Sequence, residues 1–302
     1  MKINLIVVLG STASGKTRLA SLLAKDLGSE IISADSRQVY RGMDLGTGKD
    51  LRDYLVDGFS VPRHLIDIVD PRFEFSVFDY QRLFFRCFSE IRARNVLPMM
   101  VGGTGLYIDA VLNRYSMREA PVNYALRSEL EREDMGLLKK RLRSLNPALH
   151  NTTDILDKGR LIRAIEIAVA SQEPPQTEGH FPVLNPLLIG LRWERAVIRQ
   201  RITERLRERL EAGMVEEVRS LHEGGIGWEK LDYFGLEYRY IGLYLQGRLD
   251  YQEMVGQLNT RIHQFARRQE TWFRRMERMG AQINWLTNPD YEKLKSLVEG
   301  LL

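Results

Sequence analysis

A short segment near the start of the chain constrains its fold more than any other feature. Gly10-Ser11-Thr12-Ala13-Ser14-Gly15-Lys16-Thr17 fills every position of the pattern G-x-x-x-x-G-K-[ST]. It lies between the apolar runs Leu5–Leu9 and Leu19–Ala24, which are typical of a buried strand and of a helix. The backbone N–H groups of a glycine-rich turn and of a helix N-terminus together form an anion site. The segment therefore predicts a P-loop that binds a phosphorylated ligand.

Two side chains of this P-loop have predicted roles of their own. Lys16 would place a positive charge beside a terminal phosphate, and the hydroxyl of Thr17 suits a Mg²⁺ ion. We therefore expect Mg²⁺ as a cofactor. The motif alone does not name a reaction, because kinases, nucleotide hydrolases and other transferases share it.

Length and composition are those of a soluble globular protein. The chain has 302 residues, of which 44% are hydrophobic and 28% charged, and this leaves room for about two domains. The single cysteine, Cys87, excludes an intramolecular disulfide and a multi-cysteine zinc site, and we expect it to be buried. No apolar run is long enough for a signal peptide or a membrane span. We expect a cytoplasmic protein with no membrane partner.

Arginine is unevenly distributed along a chain whose formal net charge is only +4. It recurs often between Arg192 and Arg209 and again between Arg261 and Arg278. Clustered arginine on helices favours a polyanionic partner such as nucleic acid, but the same pattern also occurs on solvated helix faces. Charge alone leaves both possibilities open.

Strand and helix signals alternate in the first part of the chain, residues 1–117. Glu30–Ser33 and Val96–Val101 are predicted strands, and Phe78–Arg94 is a predicted helix. The apolar residues on one side of that helix are Tyr80, Phe84, Phe88 and Ile91. This alternation predicts an α/β fold of the P-loop nucleoside-triphosphate-hydrolase-like kind, with a parallel sheet and helices on both faces.

The pattern changes between residues 118 and 183. Val122–Asp134, Met135–Leu145 and Thr153–Gln172 are predicted amphipathic helices with no strand signal between them, so we expect a helical insertion domain. Leu187–Leu191 then returns as a strand, and residues 184–302 complete the core with further helices. A stripe at helical spacing predicts one buried face of a long helix: Tyr251, Val255, Leu258, Ile262, Phe265, Gln269, Trp272 and Met276.

Two predicted strand ends place polar residues near the P-loop. Asp35 follows the second strand and should lie at the same edge of a parallel sheet, where ligands collect. There it could hold a metal, act as a base, or simply close a turn. The strand Val96–Val101 ends in glycines and Thr104, without the aspartate that nucleotide hydrolases use to hold Mg²⁺. This disfavours a motor or switch protein.

Further motifs follow one another along nearly the whole chain. In order they are Gly10–Thr17, Ile32–Tyr40, Asp44–Lys49, Gly102–Tyr107, Arg160–Glu166, Arg201-Ile202 with Arg205 and Gly213, Tyr238–Arg239 with Tyr244–Gly247, and Arg267–Arg274. Together they resemble the tRNA dimethylallyltransferases, also called tRNA isopentenyltransferases, of the bacterial type. The run Ser33-Ala34-Asp35-Ser36-Arg37-Gln38 is far more specific than the P-loop.

The resemblance implies a reaction. A dimethylallyl group would pass from dimethylallyl diphosphate to N6 of adenosine 37, in tRNAs that read codons beginning with uridine. The P-loop would then hold diphosphate as the leaving group, together with Arg201 and Arg205. The partner would be the anticodon stem-loop of tRNA, and we expect a monomer.

The resemblance also implies roles for particular side chains. Asp35, Thr104 and Arg205 would be catalytic, with Asp35 accepting the proton from the adenine amine. The implied tRNA-binding residues are Asp35, Ser36, Arg37, Gln38, Thr104, Arg127, Arg160, Arg163 and Arg239. Glu237 departs from the family, many of whose members have glycine before the Tyr-Arg pair.

Three other functions compete with this interpretation. A small-molecule or nucleotide kinase would need the P-loop but no tRNA, and an RNA-binding nucleotide switch would have no use for Asp35 and Thr104 at one phosphate site. Transfer of the isopentenyl group to free AMP or ADP is the third. The arginine-rich helices and the helical insertion favour an RNA acceptor over a free nucleotide.

Overall fold

The computed structural model describes residues 2–117, 120, 122–145, 157–170 and 181–302. The chain forms two compact units: Met1–Arg114 with Pro182–Leu302 is the first, and Tyr115–Phe181 is the second. No helix in the described ranges is long and apolar enough to cross a membrane.

The first unit is built on a parallel sheet. The strands are β1 (Leu5–Gly10), β2 (Glu30–Ala34), β3 (Leu55–Val56), β4 (Phe59–Ser60), β5 (Arg63–His64), β6 (Pro98–Gly102), β7 (Pro186–Arg192) and β8 (Ile283–Thr287). The six-stranded sheet has the order β5-β2-β6-β1-β7-β8, while β3 and β4 pair separately as an antiparallel hairpin. Every ladder within the large sheet is parallel. The parallel sheet predicted from the alternating pattern is confirmed.

Helices occur in both units. Those of the first unit are α1 (Lys16–Leu27), α2 (Val77–Ala93) and α3 (Gly105–Leu112). The second unit contains α4 (Tyr124–Leu130), α5 (Met135–Leu145) and α6 (Lys158–Ala170). The chain then returns to the first unit with α7 (Arg195–Glu211), α8 (Met214–Glu223), α9 (Trp228–Phe234), α10 (Leu236–Leu245), α11 (Tyr251–Arg278) and α12 (Tyr291–Glu299).

Most predicted elements are present within a few residues of their expected bounds. The predicted return strand Leu187–Leu191 lies in β7, which pairs with β1 in the core of the sheet. The predicted helix Met135–Leu145 has the same bounds as α5. The predicted helix Thr153–Gln172 corresponds to α6, and its two ends fall outside the described residues. Cys87 is buried, as expected.

The predicted buried stripe of α11 is partly wrong. Tyr251 and Phe265 are 46% and 39% exposed, whereas Met254 and Phe273 are almost fully buried. Tyr251 is the first residue of the helix, and the buried face is formed by Met254, Leu258, Ile262, Ala266, Gln269, Phe273 and Met276. The short strands β3 to β5 and the edge strand β8 also lacked a clear alternating pattern and were not expected.

The helices of the second unit have an apolar core of their own. Its buried residues are Leu130, Leu138, Leu142, Leu161, Ile162, Ile165 and Ala168. These come from all three helices at helical spacing, which is the pattern expected of amphipathic segments packed on one another. The described part of this unit contains no strand.

The carboxyl ends of the central strands bring the predicted site residues to one edge of the sheet. Ala34 of β2 pairs with Gly102 of β6, and Leu9 of β1 pairs with the same glycine. A Cβ atom on Gly102 would overlap the Ala34 carbonyl, so only glycine allows the two strand ends to approach this closely. As a result, the ends of β1, β2 and β6 lie close together. The P-loop follows β1, Asp35 follows β2 and Thr104 lies shortly after β6.

Candidate active site

The P-loop forms a tight turn into α1. Gly15 has φ +80° at the N-cap of that helix, and Ala13 also adopts a left-handed conformation with φ +61°. The N–H of Ser14 donates to the Ser11 carbonyl at 3.3 Å, which closes the turn. The turn and the helix N-terminus therefore have the backbone conformation expected of the anion site that the motif predicts.

Two side chains hold the outer part of the P-loop. The indole N–H of Trp193 donates to the Ser14 carbonyl at 2.9 Å, and the Nε of Arg201 donates to the Ala13 carbonyl at the same distance. The guanidinium of Arg201 lies 4.6 Å from the centre of the Trp193 ring. Arg201, predicted to bind diphosphate because it lies one helical turn from Arg205, thus contacts the loop backbone in this structure.

A single glutamine fixes the other side of the P-loop. The side-chain carbonyl of Gln269 accepts the N–H of Thr12 at 2.8 Å, and its amide group donates to the Gly103 carbonyl at 2.9 Å. Gln269 is buried on α11. It therefore joins the P-loop to the segment that precedes Thr104.

Lys16 lies in an environment that disfavours its charge. Burial, together with the positive charge of Arg205, lowers the pKa of Lys16 to about 8, although Asp35 and Asp50 oppose that shift. Within the described residues, its ammonium group makes one long hydrogen bond, 3.4 Å, to the Ser11 carbonyl. An anionic ligand in the P-loop would stabilise the positive charge of the Lys16 ammonium and give it strong hydrogen-bond acceptors.

The residues around Thr17 suit Mg²⁺ bound largely through a ligand. Thr17 is half-buried in the first turn of α1, and no described residue hydrogen-bonds to its hydroxyl. Within the described ranges, no group of three His, Cys, Asp or Glu side chains could hold a metal ion. Mg²⁺ in phosphate sites is commonly bound by one or two protein groups, phosphate oxygens and water, so this sparse donor set fits it.

Arg205 reaches the P-loop from α7. Its Nη2 donates to the Gly48 carbonyl at 3.3 Å and forms an ion pair with the carboxylate of Asp50. Its Nη1 lies 3.5 Å from the Thr12 hydroxyl. The guanidinium is therefore beside the P-loop, as the family resemblance implied, and an internal carboxylate is bound to it.

Arg209 lies one helical turn beyond Arg205 on the same helix. Its side chain is only 13% exposed, and its Nη2 is 3.7 Å from the same Asp50 carboxylate. Burial lowers the pKa of Arg209 to about 10, with a further contribution from the charge of Arg205. Burial raises the pKa of Glu237, and the charges of Arg209 and Arg205 oppose that rise.

The Asp35 carboxylate is oriented by the backbone that follows it. Its Oδ1 accepts the N–H groups of Arg37 at 2.9 Å and Gln38 at 3.3 Å. Among the described residues, no donor is bonded to the second oxygen, Oδ2, and the residue is half-buried. Asp35 thus closes a turn and also keeps one oxygen able to accept a proton.

Thr104 and the Asp35 segment are joined directly. The hydroxyl of Thr104 accepts the N–H of Ser36 at 3.1 Å, and its own N–H donates to the Ala34 carbonyl at 3.2 Å. Gln38 extends from the same segment and donates to the Gly48 carbonyl at 3.1 Å. Since Arg205 donates to that carbonyl too, one backbone oxygen connects the Asp35 segment with the arginine at the P-loop.

The arginines predicted to contact tRNA lie in different surroundings. In the first unit, the guanidinium of Arg37 is 5.0 Å from the centre of the Tyr233 ring, and Arg239 forms an ion pair with Asp232. Both leave part of the side chain accessible to solvent.

In the second unit, Arg127 and Arg163 share a partner. Arg127 donates to Glu166 at 3.0 Å, and Arg163 donates to the other oxygen of Glu166 at 3.2 Å. Arg163 also donates to the Ala120 carbonyl at 2.7 Å, and the Glu166 carboxylate is almost fully buried. Arg160 is exposed. Arg163 is thus tied into the unit, whereas Arg160 has its guanidinium in solvent.

Sequence reasoning missed several residues that shape the site. The Glu217 carboxylate accepts the N–H groups of Asp44, Leu45 and Gly46 at 2.7–2.9 Å and the Tyr238 hydroxyl at 2.9 Å. It thereby holds the loop that contains Gly48. The sequence also did not predict the contacts of Asp50 and Arg209, or the two hydrogen bonds by which Gln269 joins the P-loop to Gly103. Clustered arginine was the only signal, and it did not separate Arg209 from its neighbours.

The fold and site define a P-loop α/β protein whose phosphate-binding loop lies beside an aspartate and a threonine on the neighbouring strand ends. A model of the IPP transferase family matches residues 38–276, and a model of isopentenyl transferases matches residues 1–60. The chain belongs to the IPP transferase family. The family predicted from the motifs is confirmed.

The chain is similar to known tRNA dimethylallyltransferases over nearly all of its length. It is 56% identical over 300 residues to tRNA dimethylallyltransferase 1 of Syntrophus aciditrophicus, covering 99% of this chain and 98% of that protein. It is 56% identical over 285 residues to tRNA dimethylallyltransferase 2 of Pelobacter propionicus, covering 94% and 90%.

Solved structures of similar proteins have the same architecture. The tRNA isopentenylpyrophosphate transferase of Bacillus halodurans superimposes with a TM-score of 0.71 at 32% identity, covering 99% of this chain and 95% of that chain. A eukaryotic dimethylallyltransferase acting on tRNA gives a TM-score of 0.78 at 21% identity, covering 99% and 77%, and shares the fold.

Proposed function

We propose that this protein transfers a dimethylallyl group from dimethylallyl diphosphate to N6 of adenosine 37 in tRNAs that read codons beginning with uridine. The observation that supports this most directly is the shared Gly48 carbonyl, which accepts from Gln38 and from Arg205. Through this oxygen, the segment around Asp35 is connected to Arg205, which lies beside the P-loop. Donor and acceptor groups would therefore meet at one edge of the sheet, where ligands of parallel sheets bind.

On the donor side, the chain has groups suited to a diphosphate leaving group. When the allylic C–O bond breaks, its electron pair stays on the diphosphate, whose negative charge increases. Lys16, Arg205 and the P-loop N–H groups would stabilise that charge, and fixed donors of this kind contribute most where charge develops. Planar guanidinium groups bind phosphate oxygens through two parallel hydrogen bonds.

On the acceptor side, Asp35 would take the proton. The N6 amine of adenine is a weak nucleophile, because its lone pair is delocalised into the ring. As its lone pair forms the new C–N bond, an N6 proton must leave, and Oδ2 of Asp35 is the acceptor we assign. Thr104, which is bonded to the neighbouring Ser36, would help to position the adenine.

The Thr17 hydroxyl is the protein group that would hold Mg²⁺ in the presence of diphosphate. When bound, it would neutralise part of the charge on the leaving group. The protein groups would have their own roles: the P-loop would position the phosphates, and Arg205 and Lys16 would supply positive charge.

The acceptor is proposed to be the anticodon stem-loop of tRNA, entered with adenosine 37 unstacked, because chemistry on a base requires access to its edge. Arg37, Arg239 and, in the second unit, Arg127, Arg160 and Arg163 are the assigned contacts. We further propose that the protein works as a monomer in the cytoplasm.

Labelled substrates separate this function from its alternatives. The protein is incubated with total tRNA and either allyl-labelled dimethylallyl diphosphate or γ-labelled ATP, and nucleosides are then analysed. We expect label from the first donor in tRNA adenosine and none transferred from ATP. Robust phosphoryl transfer would support a kinase instead, and preferential alkylation of added AMP or ADP would support a free-nucleotide acceptor.

A further inference from the structure

A pocket beside the P-loop contains a charged group with no assigned role. It is lined by Thr12 and Ala13 of the P-loop, by Arg205 and Arg209 of α7, and by Glu237 of α10. The P-loop and Arg205 account for one side of it. Arg209 and Glu237 belong to neither the motif nor the roles implied by the family resemblance.

The guanidinium of Arg209 is buried with unused donors. Its Nε and Nη2 atoms are inaccessible to solvent and have no hydrogen-bond partner in the described part of the chain. Its contact with Asp50, at 3.7 Å, is an ion pair too long to be a hydrogen bond. A buried guanidinium with unpaired N–H groups is costly, because water is lost and nothing replaces it. Such a group is suited to receive an acceptor from a ligand.

The arrangement of charges around Arg209 points to an anion. Arg205 and Arg209 lie four residues apart on α7 and share one carboxylate, that of Asp50. The two guanidinium groups can therefore hold a single anionic group between them. The charge of Arg209 also reaches the P-loop, since it helps to lower the pKa of Lys16.

We propose that Arg209 is a second guanidinium ligand of the donor's diphosphate, acting with Arg205 and replacing the internal Asp50 carboxylate when the donor binds. This rests on the proposed function for the identity of the donor, but not for the binding of diphosphate itself. Glu237 lines the same pocket as the two arginines.

The test uses the full-length protein and inorganic diphosphate with Mg²⁺. Arg209→Met keeps the length of the side chain and removes the guanidinium, and Arg209→Met/Glu237→Gln also removes the carboxylate left without a counter-charge. Arg207→Met is the matched control, because Arg207 is exposed on the same helix. Thermal melting checks that each variant is folded, and Arg209→Lys provides a variant that keeps the charge.

Calorimetry of diphosphate binding should show a loss of about tenfold or more for both Arg209→Met proteins. We expect a smaller loss for Arg209→Lys, because an ammonium cannot form the planar paired contact, and no change for Arg207→Met. The affinity for tRNA should stay at the wild-type value. Wild-type diphosphate affinity in the folded double variant would overturn the proposal and leave Arg209 as a structural partner of Asp50.

Two further arms separate the sources of the phosphate groups. The double variant should lose affinity for dimethylallyl diphosphate in parallel with inorganic diphosphate. A loss confined to ATP would contradict the proposal and assign Arg209 to a nucleotide. If the wild-type protein binds diphosphate through Arg209 but never alkylates tRNA, the proposed function fails while this assignment stands.

Discussion

Gln269 accepts the backbone N–H of Thr12 at 2.8 Å, so a side chain near the end of the chain fixes the geometry of a loop near its start. The same amide group donates to Gly103, just before Thr104. The long helix α11 therefore sets the spacing between the loop proposed to hold the donor and the residue proposed to lie beside the acceptor base.

Replacing Gln269 with alanine should damage both the fold and the donor site. One buried and one partly buried hydrogen bond are lost, at roughly 1 kcal/mol each, and the unpaired Gly103 carbonyl adds to the cost. We expect a lower melting temperature and weaker binding of inorganic diphosphate, measured by calorimetry. Gln257→Ala, on an exposed position of the same helix, is the control and should change neither. If the two variants behave alike, Gln269 does not hold the P-loop and the Gly103 segment in place.

Replacing Asp35 with asparagine should slow the transfer and spare the fold. The amide oxygen can still accept from Arg37 and Gln38, but it cannot take up the N6 proton. We expect the rate constant of the transfer step to fall by roughly 10²–10⁴-fold, the range typical of a general base. Single-turnover rates with both substrates saturating measure this, and filter binding verifies that tRNA is still held. Turnover near the wild-type value would leave Asp35 as a turn residue only.

The affinity for diphosphate should fall as pH rises through about 8. The pKa of Lys16 in the free protein is lowered to about 8, chiefly by burial, and a bound anion favours the protonated form. Binding above that pH therefore takes up a proton and becomes weaker. Because diphosphate itself titrates, the comparison is between the wild type and Lys16→Met across the same buffers. Identical pH profiles for the two proteins would contradict this assignment.

Arg160 and Arg163 should behave differently despite their similar predicted roles. Arg160 is exposed, so Arg160→Ala should reduce the slope of log affinity for tRNA against log salt by about one and leave stability unchanged. Arg163→Ala removes a partner of the buried Glu166 and should lower the melting temperature as well. Arg86→Ala, an exposed arginine of the first unit, is the control. If Arg160→Ala keeps the wild-type salt dependence, Arg160 does not contact phosphate.

The parts of the site that could be predicted from the sequence are those encoded locally. The P-loop, its strand and its helix are contiguous, and Asp35 and Thr104 follow strands whose ends must meet in a parallel sheet. The contacts that adjust the site join distant segments: Gln269 lies 257 residues from Thr12, and Glu217 lies 171 to 173 residues from the loop it holds. Neither periodicity nor spacing reports such pairs, because tertiary packing alone brings them together.

The central claim, dimethylallyl transfer to one adenine amine, is tested most directly with two synthetic anticodon stem-loops. One has adenosine at position 37 and the other has guanosine there, with all other positions alike. After reaction with dimethylallyl diphosphate and Mg²⁺, mass spectrometry of the nucleosides should find N6-dimethylallyladenosine only in the first, with one diphosphate released per modified base. Absence of that nucleoside, or equal alkylation of both stem-loops, would contradict the account.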